Sequence, residues 1–170
     1  MYLAWLSLVG KIAMNREEVE YVVRFFHHVR KDTDVELAIL KGHLLIESLA
    51  RDFLSKKIKH PKHLENANLG SYQPILLARS LNDRNISDWA WEAALKLNSI
   101  RNDLSHNLIP QKLQSKIDEF ISFVDSHASK LEGFEEDFGP LITRVIVVWL
   151  ALCVTLHFDP SKFRHILLSG

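Results

Sequence analysis

The chain has 170 residues, enough for one domain with a sizeable core and too few for two ordinary ones. Lys plus Arg number 21 and Asp plus Glu number 21, giving a net charge of zero, and 47% of residues are hydrophobic; together these exclude a disordered polyelectrolyte and argue against a strongly basic nucleic-acid tail. A lone Cys153 permits no internal disulfide, and the start lacks a basic leader or a small-residue cleavage site, so a cytoplasmic protein is expected.

With six Gly and five Pro, apolar residues at helical spacing and no hairpin signature, the expected class is all-α. Residues 1–14 form an apolar N-terminal segment, whose run from Tyr2 to Val9 is read as a packing or oligomer contact. Asn15 precedes Glu18 by three, the capping-box spacing, and predicts a helix at about 16–30; Thr33 before Glu36 predicts a second at about 34–58. Pro61, Pro74, Pro110, Pro140 and Pro160 lack an amide hydrogen and mark boundaries or first turns. They leave a short helix after Pro74, a longer one from Asp88 behind the N-cap candidate Ser87, another from Gln111 to about Leu131, and a last one after Pro140.

In the second helix Val35, Leu37, Ile39, Leu40, Leu44, Leu45, Ile46, Leu49, Phe53 and Leu54 cover nearly the whole circumference, as a helix surrounded by others requires. In the fourth, Trp89, Ala93, Leu97, Ile100 and Leu104 form a single stripe. The fourteen uncharged residues from Val145 to Phe158 fall short of the roughly 20 needed to cross a bilayer, so a buried or interface helix is expected rather than a membrane anchor. The resulting plan is a bundle over 15–131, an acidic linker over 132–139, and a C-terminal apolar helix and tail over 140–170.

The chemistry-bearing motif is Arg101-Asn102-Asp103-Leu104-Ser105-His106, at the end of the fourth helix. It pairs a permanent cation with a group that titrates near neutral pH. Five helical residues correspond to about 140° of rotation, so Arg101 and His106 converge only if the last turn loosens or two such helices meet across a dimer. Such a pair suits metal-free cleavage of RNA. The imidazole takes the 2′-hydroxyl proton or gives one to the leaving oxygen, and the guanidinium holds the charged phosphorus centre. The plainer alternative is a surface Arg and a C-terminal His favoured by the helix dipole.

These residues match the R-x4-H signature of HEPN domains, and the surroundings are also similar: the segment HLLIESLARDF in a long central helix, a variable loop, then WEAALKLNSIRNDLSHNL. The chain resembles, over roughly residues 16–130, HEPN proteins of bacterial toxin and defence systems and the mannitol operon repressor proteins that share the bundle. The resemblance implies an antiparallel helical bundle of HEPN type. It also implies a metal-independent, cofactor-free endoribonuclease working as a homodimer, with Arg101 and His106 catalytic and Asn102 supporting them. RNA is then the substrate, and an antitoxin or regulatory protein a further partner. The alternative implied by the same family is a non-catalytic regulatory or interaction module.

Other clusters are secondary. Lys56, Lys57, Lys59, His60, Lys62 and His63 form a base-rich stretch suited to holding an RNA backbone without reading sequence, or simply a solvated loop. His43 and Glu47 share a helix face at i, i+4, but with no second ligand pair a packed His and carboxylate near the core are expected rather than a metal site; Glu47 is assigned as a supporting residue that orients the motif. Glu132, Glu135, Glu136 and Asp137 are an acidic run, either a contact for a basic partner or a solvated linker. Cys153 reads as a small core residue. Residues 51–116 carry eleven bases against six acids and residues 117–160 two against eight, so overall neutrality is read as two opposed patches.

Overall fold

The computed structural model of the protein describes residues 14–84, 86–107, 111–129, 131 and 134–162, the side chain of Glu65 excepted. Helices α1 (Arg16–His28), α2 (Val35–Lys57), α3 (Pro61–Asn66), α4 (Gln73–Leu81), α5 (Asp88–His106), α6 (Leu113–Asp125) and α7 (Phe134–Leu156) precede a single 3₁₀ turn, Pro160–Lys162, and no strand occurs among the described residues. The all-α class therefore holds. The expected N-terminal contact at Tyr2–Val9, Pro110, Glu132 and the tail beyond residue 162 lie outside the described residues.

The starts of the first two helices follow local hydrogen bonding. At α1 the capping box forms: the Glu18 amide donates to Asn15 Oδ1 (2.9 Å) and the Asn15 amide to Glu18 Oε2 (2.7 Å). At α2 the cap is Asp34, whose Oδ1 accepts from the Leu37 amide at 2.9 Å; Thr33 instead closes the preceding turn by accepting from the Arg30 amide. The boundary thus shifts by one residue, because a carboxylate competes better than a hydroxyl for the free amides. Ser87 stands at the start of α5, but its buried hydroxyl caps nothing. The short helix α3, with Pro61 in its first turn, replaces part of the expected loop.

The C-terminal helix is not an appendage but the centre of the bundle. Every residue from Leu141 to Leu156 is buried, against α1, α2, α5 and α6. It is long and apolar enough to cross a membrane, yet its apolar surface is consumed by the other helices. Close approach to α2 depends on Gly42, where a Cβ would lie 2.5 Å from Val145 Cγ1. Just before this stretch, Gly139 breaks the helix with φ 75°, a conformation glycine adopts without a Cβ clash, and Pro140 restarts it.

The expected acidic linker is, over its described part, a helical turn. Phe134 and Phe138 are buried and meet the Phe26 ring at 6.3 and 5.7 Å, while Glu135 is tied to Arg144. Leu131 lies beyond the end of the sixth helix, which stops at Asp125 rather than continuing to it. A further correction concerns α2: Val35, Leu37 and Leu44 are exposed (50%, 38% and 55%), so the helix is not apolar-packed around its whole circumference. The stripe of α5 is buried at Ala93, Leu97 and Ile100 and partly covered at Trp89 and Leu104.

Candidate functional site

The antiparallel packing of α2 and α5 decides what the motif meets. An ideal Cβ on Gly42 would touch Leu97, so the next residues, His43 on one helix and Asn98 and Arg101 on the other, face each other. His43 is fully buried, Asn98 is 8% exposed, and Arg101 is partly covered. Around them Ser71 Oγ donates to Asn98 Oδ1 (3.2 Å). Arg51 binds Glu47 (2.8 Å) and donates to the Leu69 carbonyl (3.1 Å). The loop before α4 is thereby fastened to both helices, and these polar side chains form a wall along their contact.

Within this wall the charges are unevenly satisfied. Glu47 neutralises Arg51, and Asp103 pairs with Lys116 at 2.5 Å. Arg101 meets no carboxylate among the described residues. Its Nη1 donates to the neighbouring Asn102 Oδ1 at 3.1 Å, and its buried Nε has no partner. Neither His43 nitrogen makes a well-formed hydrogen bond, Asn98 being the side chain placed nearest to supplying one. Burial pushes the His43 imidazole below its ordinary pKa; Glu47 works against the shift and Arg101 adds to it. His43 is therefore neutral at neutral pH.

His106, the last residue of α5, is exposed. The final turn does not loosen: Asn107 donates to the Asp103 carbonyl at 3.0 Å and Ser105 Oγ to that of Arg101. A regular helix separates residues 101 and 106 by about 7.5 Å along the axis. The structure therefore groups Arg101, Asn102 and Glu47 around one wall and leaves His106 at its rim.

The lysine stretch lies elsewhere. Lys56 is about 20 Å along α2 from His43, toward the end of the bundle where α5 begins. There Lys56 pairs with Glu17 (3.2 Å) and lies 3.8 Å from Asp52, Lys57 lies 3.6 Å from Asp83, and Lys59 and Lys62 project into solvent. The base-rich stretch and the motif are not brought onto one short surface. His60 and His63 are exposed ring neighbours, and no group of three metal-ligating side chains occurs among the described residues.

Two features had no reading in sequence. One is the meeting of His43 with Arg101; the i, i+4 spacing with Glu47 indicated only a packed His near the core, and His43 is fully buried. The other is a polar cluster at the far end of α2. Here Tyr21 donates a short hydrogen bond to Asp52 and stacks on His157 (4.7 Å), beside an open groove of about 300 Å³ that includes Glu17, Glu20, Arg24 and Lys56. Burial, then Lys56, lowers the His157 pKa, and burial with Asp52 raises that of Tyr21. These groups meet across α1, α2 and the turn after α7, residues too far apart in the chain for spacing to reveal, and the buried Nε2 of His157 makes no well-formed hydrogen bond.

No known protein family matches the chain, and no curated protein or solved structure shows significant similarity to it.

Proposed function

We propose that the chain is a HEPN-like, metal-independent endoribonuclease, acting in the cytoplasm as a homodimer. The observation that carries the reading is Arg101: a partly buried guanidinium without a carboxylate partner among the described residues, next to Asn102 and one turn from an exposed His106. A cation withdrawn from water and left uncompensated favours an incoming anion, and the guanidinium fork matches two oxygens of a phosphate. In the reaction His106 takes the 2′-hydroxyl proton or returns one to the departing 5′-oxygen. Arg101 stabilises the charge gathering on the phosphorane oxygens, and Asn102 supports it by holding Nη1 until phosphate arrives. Because the helix stays regular, the His106 that serves one Arg101 comes from the second copy, which accounts for the dimer.

The test is cleavage of mixed-sequence RNA in EDTA by the wild type, Arg101→Ala and His106→Ala. Cleavage by wild type alone, with both variants folded, supports the proposal. No cleavage by wild type at any salt concentration replaces it with the second reading, a non-catalytic regulatory module similar to mannitol operon repressor proteins. Exposed apolar side chains at Leu44 on α2, Tyr72 just before α4 and Leu81 at its end favour that alternative, since they offer a surface to a protein partner such as an antitoxin.

A further inference from the structure

We infer that His43 is a positioning residue for Arg101: its acceptor nitrogen is the seat for the Arg101 Nε–H when the guanidinium fork turns from Asn102 toward a phosphate. This rests on the proposed anion-binding role of Arg101. The argument is one of complementary needs. A neutral imidazole has one N–H and one lone pair, whereas a guanidinium has only donors. Three buried nitrogens at the α2–α5 contact are without partners: both of His43 and the Nε of Arg101. Of the neighbouring groups, Glu47 Oε1 is taken by Arg51, and Asn98 Oδ1 accepts from Ser71 but keeps a second lone pair.

The remaining lone pair of Asn98 Oδ1 is suited to the His43 N–H, which leaves the second imidazole nitrogen as an acceptor. An Arg101 anchored through Nε keeps Nη1 and Nη2 for two phosphate oxygens, the geometry in which Arg surpasses Lys. In the resting arrangement Nη1 is instead occupied by Asn102 Oδ1. The groups facing His43 are Glu47 on its own helix and Asn98 and Arg101 on α5; on α7, the side chain nearest the adjoining Gly42 is the apolar Val145. Burial first, and then Arg101, keeps His43 unprotonated at neutral pH, so it accepts rather than repels. Protonation in acid removes the lone pair and places a second cation against the guanidinium.

The experiment uses the full ¹⁵N-labelled chain, reading exchange of the Arg101 Nε–H by NMR and affinity for a mixed-sequence single-stranded RNA in EDTA, 2′-O-methylated so that the proposed cleavage cannot consume it. In wild type, RNA slows that exchange about tenfold or more, as expected for a newly hydrogen-bonded N–H. His43→Leu abolishes the slowing and weakens RNA binding about tenfold, the loss of roughly one charge-assisted hydrogen bond. His43→Gln, whose side-chain oxygen accepts but does not titrate, restores both. If His43→Leu does not fold, the comparison of wild type with His43→Gln decides: below about pH 6.5, the ordinary imidazole value, wild-type affinity falls more steeply. Identical pH profiles overturn the inference, as does RNA binding with Arg101 exchange unchanged. If RNA does not bind, the ribonuclease reading fails by itself, and inorganic phosphate replaces RNA as probe. Slowing of Arg101 by phosphate in wild type but not in His43→Leu then supports the positioning role, and its absence overturns it.

Discussion

Arg144 and Arg101 are both drawn inward from the surface of one bundle, and their surroundings differ in the way that separates a structural ion pair from a binding group. Arg144 is 6% exposed on the apolar helix α7, and its guanidinium binds Asp125 through two nitrogens (2.7 and 2.9 Å) and Glu135 through the third (2.5 Å). Burial opposes its charge, but the hydrogen bonds to both carboxylates outweigh that and hold its pKa above the ordinary value. The pair closes α6 and the first turn of α7 over the core. Arg101 has an amide neighbour and no carboxylate among the described residues. One arginine is finished by the fold; the other is the guanidinium on which the proposed function rests.

The largest effect that sharpens this contrast is expected at the finished site. Arg144→Met should cost about 2–4 kcal/mol of unfolding free energy, because Asp125 and Glu135 lose their partner, with partial exposure moderating the loss. Arg101→Met should cost less than about 1 kcal/mol, having no ion pair to break. Urea denaturation of both variants measures the difference, and equal losses would dissolve the distinction.

A second test addresses the helix contact that sets the candidate site. Gly42→Ala places a methyl group against Val145 and should destabilise by about 1–3 kcal/mol despite the better helix propensity of Ala. Adding Val145→Ala, which removes the obstructing methyl group, should recover the part due to overlap; a double variant no better than the sum of the singles would show that contact to be unimportant.

Capping is a smaller matter. Asp34→Ala is expected to cost about 1 kcal/mol and Thr33→Ala less, since Asp34 holds the α2 amide; the reverse order in thermal unfolding would reinstate Thr33 as the cap.

How far the sequence carries is clearest at these positions. Asn15 and Glu18 announced α1 because a cap is a local device, complete within four residues. The motif was legible for the same reason. What α7 does was not, because a run of buried apolar residues has the same composition whether it is a flank, an anchor or the centre of a bundle. Arg144 interrupts that run, and only its three-dimensional meeting with Asp125 and Glu135 explains the charge. Likewise the acidic run appeared as a linker because Phe134 and Phe138 find their partner in Phe26, over a hundred residues earlier. The two opposed charge patches dissolve in part for this reason: Asp125 and Glu135 are spent on Arg144, and Lys56 and Lys57 face nearby carboxylates.

The smallest expected effect is on pH dependence. His43 and His157 both have pKa values lowered chiefly by burial, so the unfolded chain takes up protons at these positions before the folded one does. Their contribution is intact above about pH 6.5 and lost as pH falls below it toward the folded values. Stability measured in urea at descending pH should decline through this window, and His43→Gln should flatten part of the decline. No change in the slope would mean that His43 is not buried as a neutral ring.

The most direct measurement of the central claim is the affinity of a non-cleavable, 2′-O-methylated single-stranded RNA for wild type and Arg101→Met across a salt series. If Arg101 is the guanidinium left for phosphate, the variant binds about tenfold more weakly, with its log–log salt slope reduced by about one while its unfolding curve is nearly unchanged. Equal affinity and equal slope in the two proteins would contradict the account.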